Sequence, residues 1–238
     1  MTIVSLIPVG CAVMLLLIKS FLAKQDIVLA DLFPQVSFFL FLHFLLPLMA
    51  VFIGTAVIAD EVEERTLPYL LVRPIPRPFF VLAKMVVGVL AVGFLLFVSL
   101  GLTYSVMVLD QGLSGWMADI PQLLRSGSVL LLGLMVYVPL FGLLGGILKH
   151  PVLAGLLFTF GWENSIAFFP GNVKLLTVVH YLHVLFPPFQ QTRLIDFILP
   201  AQPISAVTSI VILLAMAVVF TGLLILLPVL KEYQLEQS

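Results

Sequence analysis

The sequence is poor in charged residues and almost without cysteine. Its 238 residues include 11 Lys and Arg and 12 Asp and Glu, so charged residues make up only 10% of the chain, against about 25% in a typical soluble domain. So few charges cannot cover the surface of a soluble protein of this size, which excludes an ordinary cytosolic enzyme and a disordered chain. A net charge of −1 offers no basic surface to nucleic acid. The single cysteine, Cys11, excludes an intramolecular disulfide and a cysteine-rich metal site.

Long apolar runs dominate what is present, and hydrophobic residues make up 62% of the chain. A membrane-spanning helix needs about 20 mostly apolar residues, and six segments are predicted to span: 3–18, 35–58, 79–108, 126–148, 151–169 and 205–230. The runs do not alternate as the strands of a β-barrel would. We therefore predict one all-α membrane domain over residues 1–238 with six spans. Both termini lie on one side, and the positive-inside rule slightly favours the cytoplasm.

The most charged segment, residues 60–78, lies between the second and third predicted spans and reads DEVEERTLPYLLVRPIPRP. It predicts a short amphipathic helix that begins at Thr66, a good N-cap, with Pro68 in its first turn. Three leucines share one face at i, i+3 and i+4 spacing: Leu67, Leu70 and Leu71. Arg73 suits the C-terminal end of the helix dipole, and the prolines after it end the helix. Such a helix fits a groove on a soluble partner, but a turn on the membrane surface explains the pattern equally well.

This segment resembles the matching stretch of the ABC-2 type transporter permeases. The residues that carry the resemblance are the acidic cluster with Glu61, Thr66-Leu67, Leu70-Leu71, Arg73-Pro74-Ile75, Arg77 and Lys84. The order Trp162-Glu163, Pro170-Gly171 and His180-Tyr181 is also similar to one branch of these permeases. Two features depart from the family. Arg65 stands where a glycine is common, and the first span begins too close to Met1 for the usual amphipathic elbow helix.

The resemblance implies a fold and a function. The fold has a short cytoplasmic coupling helix between helices 2 and 3 and outer-side re-entrant or interfacial helices between helices 5 and 6. The chain is then the permease subunit of an ATP-driven exporter in the cell membrane, a prokaryotic inner membrane, working as a homodimer with two copies of a separate ATPase. ATPase-coupling roles are implied for Asp60, Glu61, Glu64, Thr66, Leu67, Leu70, Leu71, Arg73 and Arg77.

The chain itself is not expected to be an enzyme. It contains no G-x-x-x-x-G-K-[ST] phosphate-binding loop, so ATP and Mg²⁺ are expected on the partner ATPase. Gly142, Gly145 and Gly146 lie in an apolar span and predict close helix packing instead. An apolar pathway favours a hydrophobic or amphipathic substrate.

A few polar residues fall inside the predicted spans or close to them. Glu163, Asn164 and His43 are candidates for a substrate path, because ionisable groups at membrane depth usually face protein or water. Simpler interpretations remain open. Glu163 would lie near the outer interface, bonded to Asn164 or to backbone, and His43 would only pack beside the kink at Pro47. His180 and His183 share a helix face with i, i+3 spacing, but no metal site is predicted because a third ligand is speculative.

Two other classes of function fit the sequence less well. An ion channel or secondary transporter usually carries several ionisable groups at mid-span, and here Glu163 is the single candidate. An intramembrane metalloenzyme is suggested by the pair Glu63-Glu64. However, Pro68 stands where such enzymes want an arginine, and the acidic cluster lies in a predicted loop.

Overall fold

The computed structural model describes residues 32–63, 77–108, 119–167, 172–187 and 204–235, with the single residues Gly10 and Met117. All regular structure in these ranges is helical. The α-helices are α1 (Phe33–Val36), α2 (Leu46–Glu63), α3 (Arg77–Val108), α4 (Ile120–Ile147), α5 (Pro151–Leu156), α6 (Asn164–Ala167), α7 (Val178–Leu185) and α8 (Ala206–Leu235). A π-helical segment, Ser37–Leu45, joins α1 to α2, and a second, Leu157–Glu163, joins α5 to α6. A 3₁₀ turn, Asn172–Leu176, precedes α7.

Four helices in the described ranges are long and apolar enough to cross a membrane: Phe33–Val57, Phe79–Val108, Ile120–Ile147 and Ala206–Leu227. They coincide with the second, third, fourth and sixth predicted spans, which confirms an all-helical multi-pass membrane fold. The first predicted span, 3–18, lies outside the described residues. The fifth, 151–169, is represented by α5, the second π-helical segment and α6. A count of six spans therefore stays a prediction.

The helix ends on either side of the charged segment differ from those predicted. Helix α2 continues to Glu63, so Asp60 and Glu61 belong to a helix rather than to a loop. Helix α3 begins at Arg77 with Pro78 in its first turn, where a proline is tolerated because the first backbone N–H groups of a helix have no partner within it. The short helix predicted between these ends lies outside the described residues.

Helix α4 also begins earlier than predicted, at Ile120 rather than at Ser126. Its first turn holds Pro121, whose ring fixes a helical φ at a position where no hydrogen bond is lost. The apolar-run criterion missed the start of this helix because residues 120–125 include Gln122 and Arg125.

The centre of the molecule is the contact between α2 and α4. In the most apolar window of each candidate span, 61% of residues are buried for Phe33–Val57 and for Ile120–Ile147, against 28% for Phe79–Val108 and 11% for Ala206–Leu227.

Glycines permit the central contact between α2 and α4. A Cβ atom on Gly145 would lie 2.5 Å from the carbonyl oxygen of Thr55, and one on Gly54 would lie 2.7 Å from that of Val138. Such close approach is how helices associate strongly in lipid.

Helix α7 packs against α4 and α8 beside this centre. Six of its eight residues are buried: Val178, Val179, His180, Tyr181, Leu182 and Leu185. A helix so short gains little stability from its own hydrogen bonds. Its position must therefore be fixed by its neighbours.

Candidate functional site: the polar cluster around helix α7

The N-terminus of α7 lacks a cap of its own. Thr177 occupies the N-cap position with extended backbone, but its side chain makes no capping hydrogen bond. Its hydroxyl donates instead to the carbonyl oxygen of Lys174 at 2.7 Å. The first backbone amides of α7 therefore need another acceptor, since buried N–H groups are costly to leave unpaired.

Glu163 supplies that acceptor. The amide of Val178 donates to its Oε1 at 3.1 Å, and the amide of Val179 donates to its Oε2 at 3.2 Å. The hydroxyl of Tyr137 donates to the same Oε2 at 3.1 Å. Glu163 is only 2% exposed and Tyr137 is fully buried. A carboxylate at this end also complements the positive pole of the helix dipole, so Glu163 stabilises α7 by both charge and hydrogen bonding.

The other end of α7 has the opposite arrangement. Arg125 of α4 donates from Nε to the carbonyl oxygen of Leu185 at 3.2 Å, and a cation is favourable at a helix C-terminus. Phe186, the C-cap, is extended because Pro187 follows it and disfavours helical backbone at the preceding residue. Each end of α7 thus carries a side chain whose charge is opposite to the local pole of the helix.

A histidine pair holds the last turn of α7 to the span Phe33–Val57. The Nε2 atoms of His183 and His43 lie 2.8 Å apart. The Nδ1 atom of His43 lies 3.1 Å from the carbonyl oxygen of Phe38. Because a carbonyl oxygen only accepts, Nδ1 of neutral His43 carries the proton and its Nε2 accepts. The bond therefore runs from Nε2–H of His183 to Nε2 of His43.

Aromatic rings enclose the histidine pair. The ring of Phe38 lies 4.7 Å from that of His43 and 4.9 Å from that of His183, centre to centre. The ring of Phe186 lies 5.5 Å from that of Phe38, also centre to centre. Desolvation in these surroundings lowers the pKa of His183 well below its ordinary value, and the nearby rings of His43 and His180 lower it further. The enclosed pair is thus favoured in its neutral form.

His180 lies on the same helix with different surroundings. It is 1% exposed, and no described residue hydrogen-bonds to either of its ring nitrogens. Burial lowers the pKa of His180, and the positive charge of Lys174 lowers it further. Within the described ranges, no three His, Cys, Asp or Glu side chains come together as they would around a metal ion.

Comparison with known protein families gives a match over nearly the whole chain. The family model for the ABC-2 family transporter protein matches residues 3–227. The chain belongs to the ABC-2 transporter family. Neither a curated protein nor a solved structure matches it.

The structure of this ABC-2 family protein brings together two of the predicted substrate-path residues at α7. His43 reaches it from the first π-helical segment, and Glu163 reaches it from the second. Asn164 follows Glu163 as the first residue of α6. Glu163 bonds to backbone amides, as in the simpler of its two interpretations, and its role in a substrate path stays a prediction. His183 pairs with His43 across the fold, a contact that the spacing of His180 and His183 does not predict.

The predicted ATPase-coupling residues are described only at the edges of their segment. Asp60 and Glu61 lie in the last turns of α2, and Arg77 begins α3. The remaining residues lie outside the described ranges: Glu64, Thr66, Leu67, Leu70, Leu71 and Arg73. Their coupling role in the ABC-2 protein is therefore still a prediction.

Sequence reasoning missed two residues of the cluster, Tyr137 and Arg125. Tyr137 is the one residue with a strong hydrogen-bonding side chain in the apolar stretch 129–147. Because a polar group within a span needs a hydrogen-bonding partner, this residue could have been singled out from the sequence. Arg125 had no such signal, because a cation at a span end is ordinary.

Proposed function

We propose that this chain is the membrane-spanning subunit of an ATP-driven exporter, and that a separate ATPase docks on residues 60–78. The observation that carries the proposal is the ABC-2 family match over residues 3–227. It is supported by a sequence without a phosphate-binding loop, because an ATP-driven transporter must then obtain its ATPase from another chain. ATP and Mg²⁺ are bound by that partner.

The neighbouring helices support the placement of the coupling segment. Helix α2 ends at Glu63 and α3 begins at Arg77, so a force applied to the residues between them acts directly on two candidate spans. Helix α2 is also packed closely on α4 through Gly145 and Thr55. Closure of the ATPase pair on binding ATP would therefore be transmitted from the coupling segment into the centre of the permease.

The proposed assembly contains two copies of this chain and two ATPase subunits, in the cell membrane with both permease termini in the cytoplasm. Supporting it, the span Ala206–Leu227 has only 11% of its most apolar window buried and Phe79–Val108 only 28%, which leaves apolar surface for lipid and for a second copy. The described spans carry few charges, which favours a hydrophobic or amphipathic substrate that is moved outward.

Co-purification tests the assembly. The chain is tagged at its C-terminus, extracted from membranes of its native host in mild detergent, and its companions are identified and quantified. We expect a soluble protein with a phosphate-binding loop, in near-equal amount. Recovery of the chain alone, with cross-linking in intact membranes also negative, would refute the exporter-subunit proposal and favour a channel or a secondary transporter.

A point substitution tests the docking site. Leu70→Arg should abolish recovery of the ATPase while membrane insertion stays normal, because a charge is placed on the face that is proposed to dock. Leu176→Arg is the matched control. Leu176 is 68% exposed and lies, in the proposed topology, on the opposite side of the membrane. Normal ATPase recovery with Leu70→Arg, or equal loss with both variants, would contradict docking at residues 60–78.

A further inference from the structure

The carboxylate of Glu163 joins two helices. It accepts hydrogen bonds from the amides of Val178 and Val179, which belong to α7, at 3.1 and 3.2 Å. It accepts a third bond, of 3.1 Å, from the hydroxyl of Tyr137, which belongs to α4. Two of its bonds therefore hold the N-terminus of α7, and the third connects that end to α4.

Tyr137 lies where α2 packs on α4. A Cβ atom on Gly54 of α2 would lie 2.7 Å from the carbonyl oxygen of Val138, the residue after Tyr137, and 2.7 Å from the Cβ atom of Phe141. The ring of Tyr137 stacks on that of Phe141, with 5.7 Å between the centres. Because groups in such close contact do not slide freely past each other, a displacement of α2 also moves this part of α4.

The helix α4 has a local weakness beside Tyr137. Pro139 lies inside this helix, and proline has no N–H group to donate to the carbonyl oxygen of Met135, four residues earlier. Helices bend at such positions. The part of α4 before the proline is held to the other end of α7, because Arg125 donates to the carbonyl oxygen of Leu185. A force from α2 therefore acts on α4 at the point where this helix bends most easily.

The hydroxyl bond is the contact most sensitive to such a displacement. Its length of 3.1 Å is already long for an O–H···O bond, and a further shift of about 0.5 Å takes it beyond hydrogen-bonding distance. Tyr137 is fully buried and Glu163 is 2% exposed, so bulk water does not readily replace the hydroxyl. The bonds to Val178 and Val179 do not involve Tyr137. When the hydroxyl withdraws, Glu163 therefore stays attached to α7 and loses its bond to α4.

We propose that Tyr137 is a positioning residue, which transmits nucleotide-driven displacement of α2 and α4 through Glu163 to the N-terminus of α7. The route runs along α2 to Gly54, across to Tyr137, and through Glu163 into α7. The proposal rests on the proposed function, because the displacement comes from the partner ATPase acting on residues 60–78.

Hydrogen–deuterium exchange of the complex with its ATPase, in nanodiscs, tests the proposal. Exchange is compared without nucleotide and with Mg²⁺ and the non-hydrolysable ATP analogue AMP-PNP. The two readouts are the last turn of α2, beside the coupling segment, and the first turn of α7, which contains Val178 and Val179. In the wild type we expect both to differ between the two conditions. The difference at α7 should be about fivefold, the effect of one hydrogen bond on the opening of an amide.

The variant Tyr137→Phe removes the hydroxyl and leaves the bonds of Glu163 to Val178 and Val179 in place. We expect the nucleotide-dependent difference at α7 to fall below about twofold, while the difference at α2 persists. A residue that only stabilises the fold would instead raise exchange under both conditions alike and leave the difference between them unchanged.

Tyr181→Phe is the matched control. The hydroxyl of Tyr181 donates to the carbonyl oxygen of Leu175 at 2.8 Å, so the same atom is removed from a contact between α7 and the 3₁₀ turn that does not involve α4. This variant should keep the full wild-type difference at α7.

Glu163→Ala provides a second route to the same answer if Tyr137→Phe does not assemble. It removes the acceptor shared by Tyr137 and α7, and should also abolish the nucleotide-dependent difference at α7. Adding Tyr137→Phe to it should have no further effect on that difference, because the two substitutions interrupt one connection.

The outcomes separate this proposal from the proposed function. No nucleotide-dependent difference at either α2 or α7 in the wild type would refute the proposed function together with the role of Tyr137. A difference at α2 without one at α7, or at α7 without one at α2, would overturn the role of Tyr137 alone. A full difference at α7 in Tyr137→Phe, or an equal loss in Tyr181→Phe, would overturn it as well.

Discussion

Two regions of this protein hold helices together in opposite ways. The contact between α2 and α4 depends on the absence of side chains, because Gly145 lets the backbone of Thr55 approach closely. The cluster around α7 depends on the presence of polar side chains, chiefly Glu163 and Tyr137. Lipid surrounds spans with apolar material, so burying leucines gives little driving force there, and close backbone contact or hydrogen bonding must supply it.

The two contacts also differ in how they respond to solution conditions. A glycine contact has no titratable group and a single well-packed geometry, so solution conditions hardly alter it. A hydrogen-bonded cluster responds to the protonation of its members and to the loss of any one donor. The α2–α4 contact is therefore insensitive to pH, whereas the cluster around α7 is open to change by protonation or by substitution of one member.

The largest expected effect is at the glycine contact. Gly145→Leu places a side chain where a Cβ atom alone would lie 2.5 Å from the carbonyl oxygen and 3.0 Å from the Cα atom of Thr55. Backbone cannot give way as a side chain can, so we expect a loss of about 3 kcal/mol in the free energy of unfolding. Thermal unfolding in detergent measures it. Gly222→Leu is the control, because no atom of the described residues, apart from the neighbouring backbone of its own helix, lies within 4 Å of a Cβ on Gly222. Equal losses would contradict the close-contact interpretation.

A smaller effect is expected at the carboxylate. Glu163→Ala leaves the amides of Val178 and Val179 and the hydroxyl of Tyr137 without their acceptor, which should cost about 2 kcal/mol. Glu163→Gln retains one acceptor oxygen and should fall between Ala and the wild type. The loss should appear as faster hydrogen exchange confined to α7, with α4 unaffected. Exchange that speeds up equally in both helices would show that Glu163 stabilises the whole bundle instead.

The smallest expected effect is at Tyr137. Tyr137→Phe removes one hydroxyl and keeps the stacking of this ring on Phe141, whose centre lies 5.7 Å away. We expect a loss of about 1 kcal/mol. A double-mutant cycle with Glu163→Ala sharpens the result, because the cost of Tyr137→Phe should nearly vanish once the carboxylate is gone. An undiminished cost would mean that the hydroxyl acts through another partner.

Much of the fold follows from the sequence, because apolar run length is a local signal. Runs of the required length predicted the four spans that the described residues contain. The errors lie at the ends. Helix α2 takes in Asp60, and α4 takes in Arg125, since a helix outside the hydrocarbon layer is free to carry charge. Hydropathy marks where a helix meets lipid rather than where it stops.

The cluster around α7 follows from the sequence only in part. Glu163, His43 and His183 stand out as polar residues in apolar surroundings, and each belongs to the cluster. Their hydrogen-bonding partners could not be predicted from the sequence, because His183 and His43 are 140 residues apart and Arg125 and Leu185 are 60 apart. The i, i+3 spacing of His180 and His183 carries no information on the long-range contact that His183 makes.

The order of the α7 contacts along the chain has a consequence for biosynthesis. Three side chains that hydrogen-bond to α7 precede it in the sequence, namely His43, Arg125 and Glu163, and so does Tyr137, which donates to Glu163. Because a nascent chain emerges from its N-terminus, all of these polar partners are synthesised before Val178. The partners for both ends of α7 are therefore available when the helix is made, and α8 completes its packing afterwards.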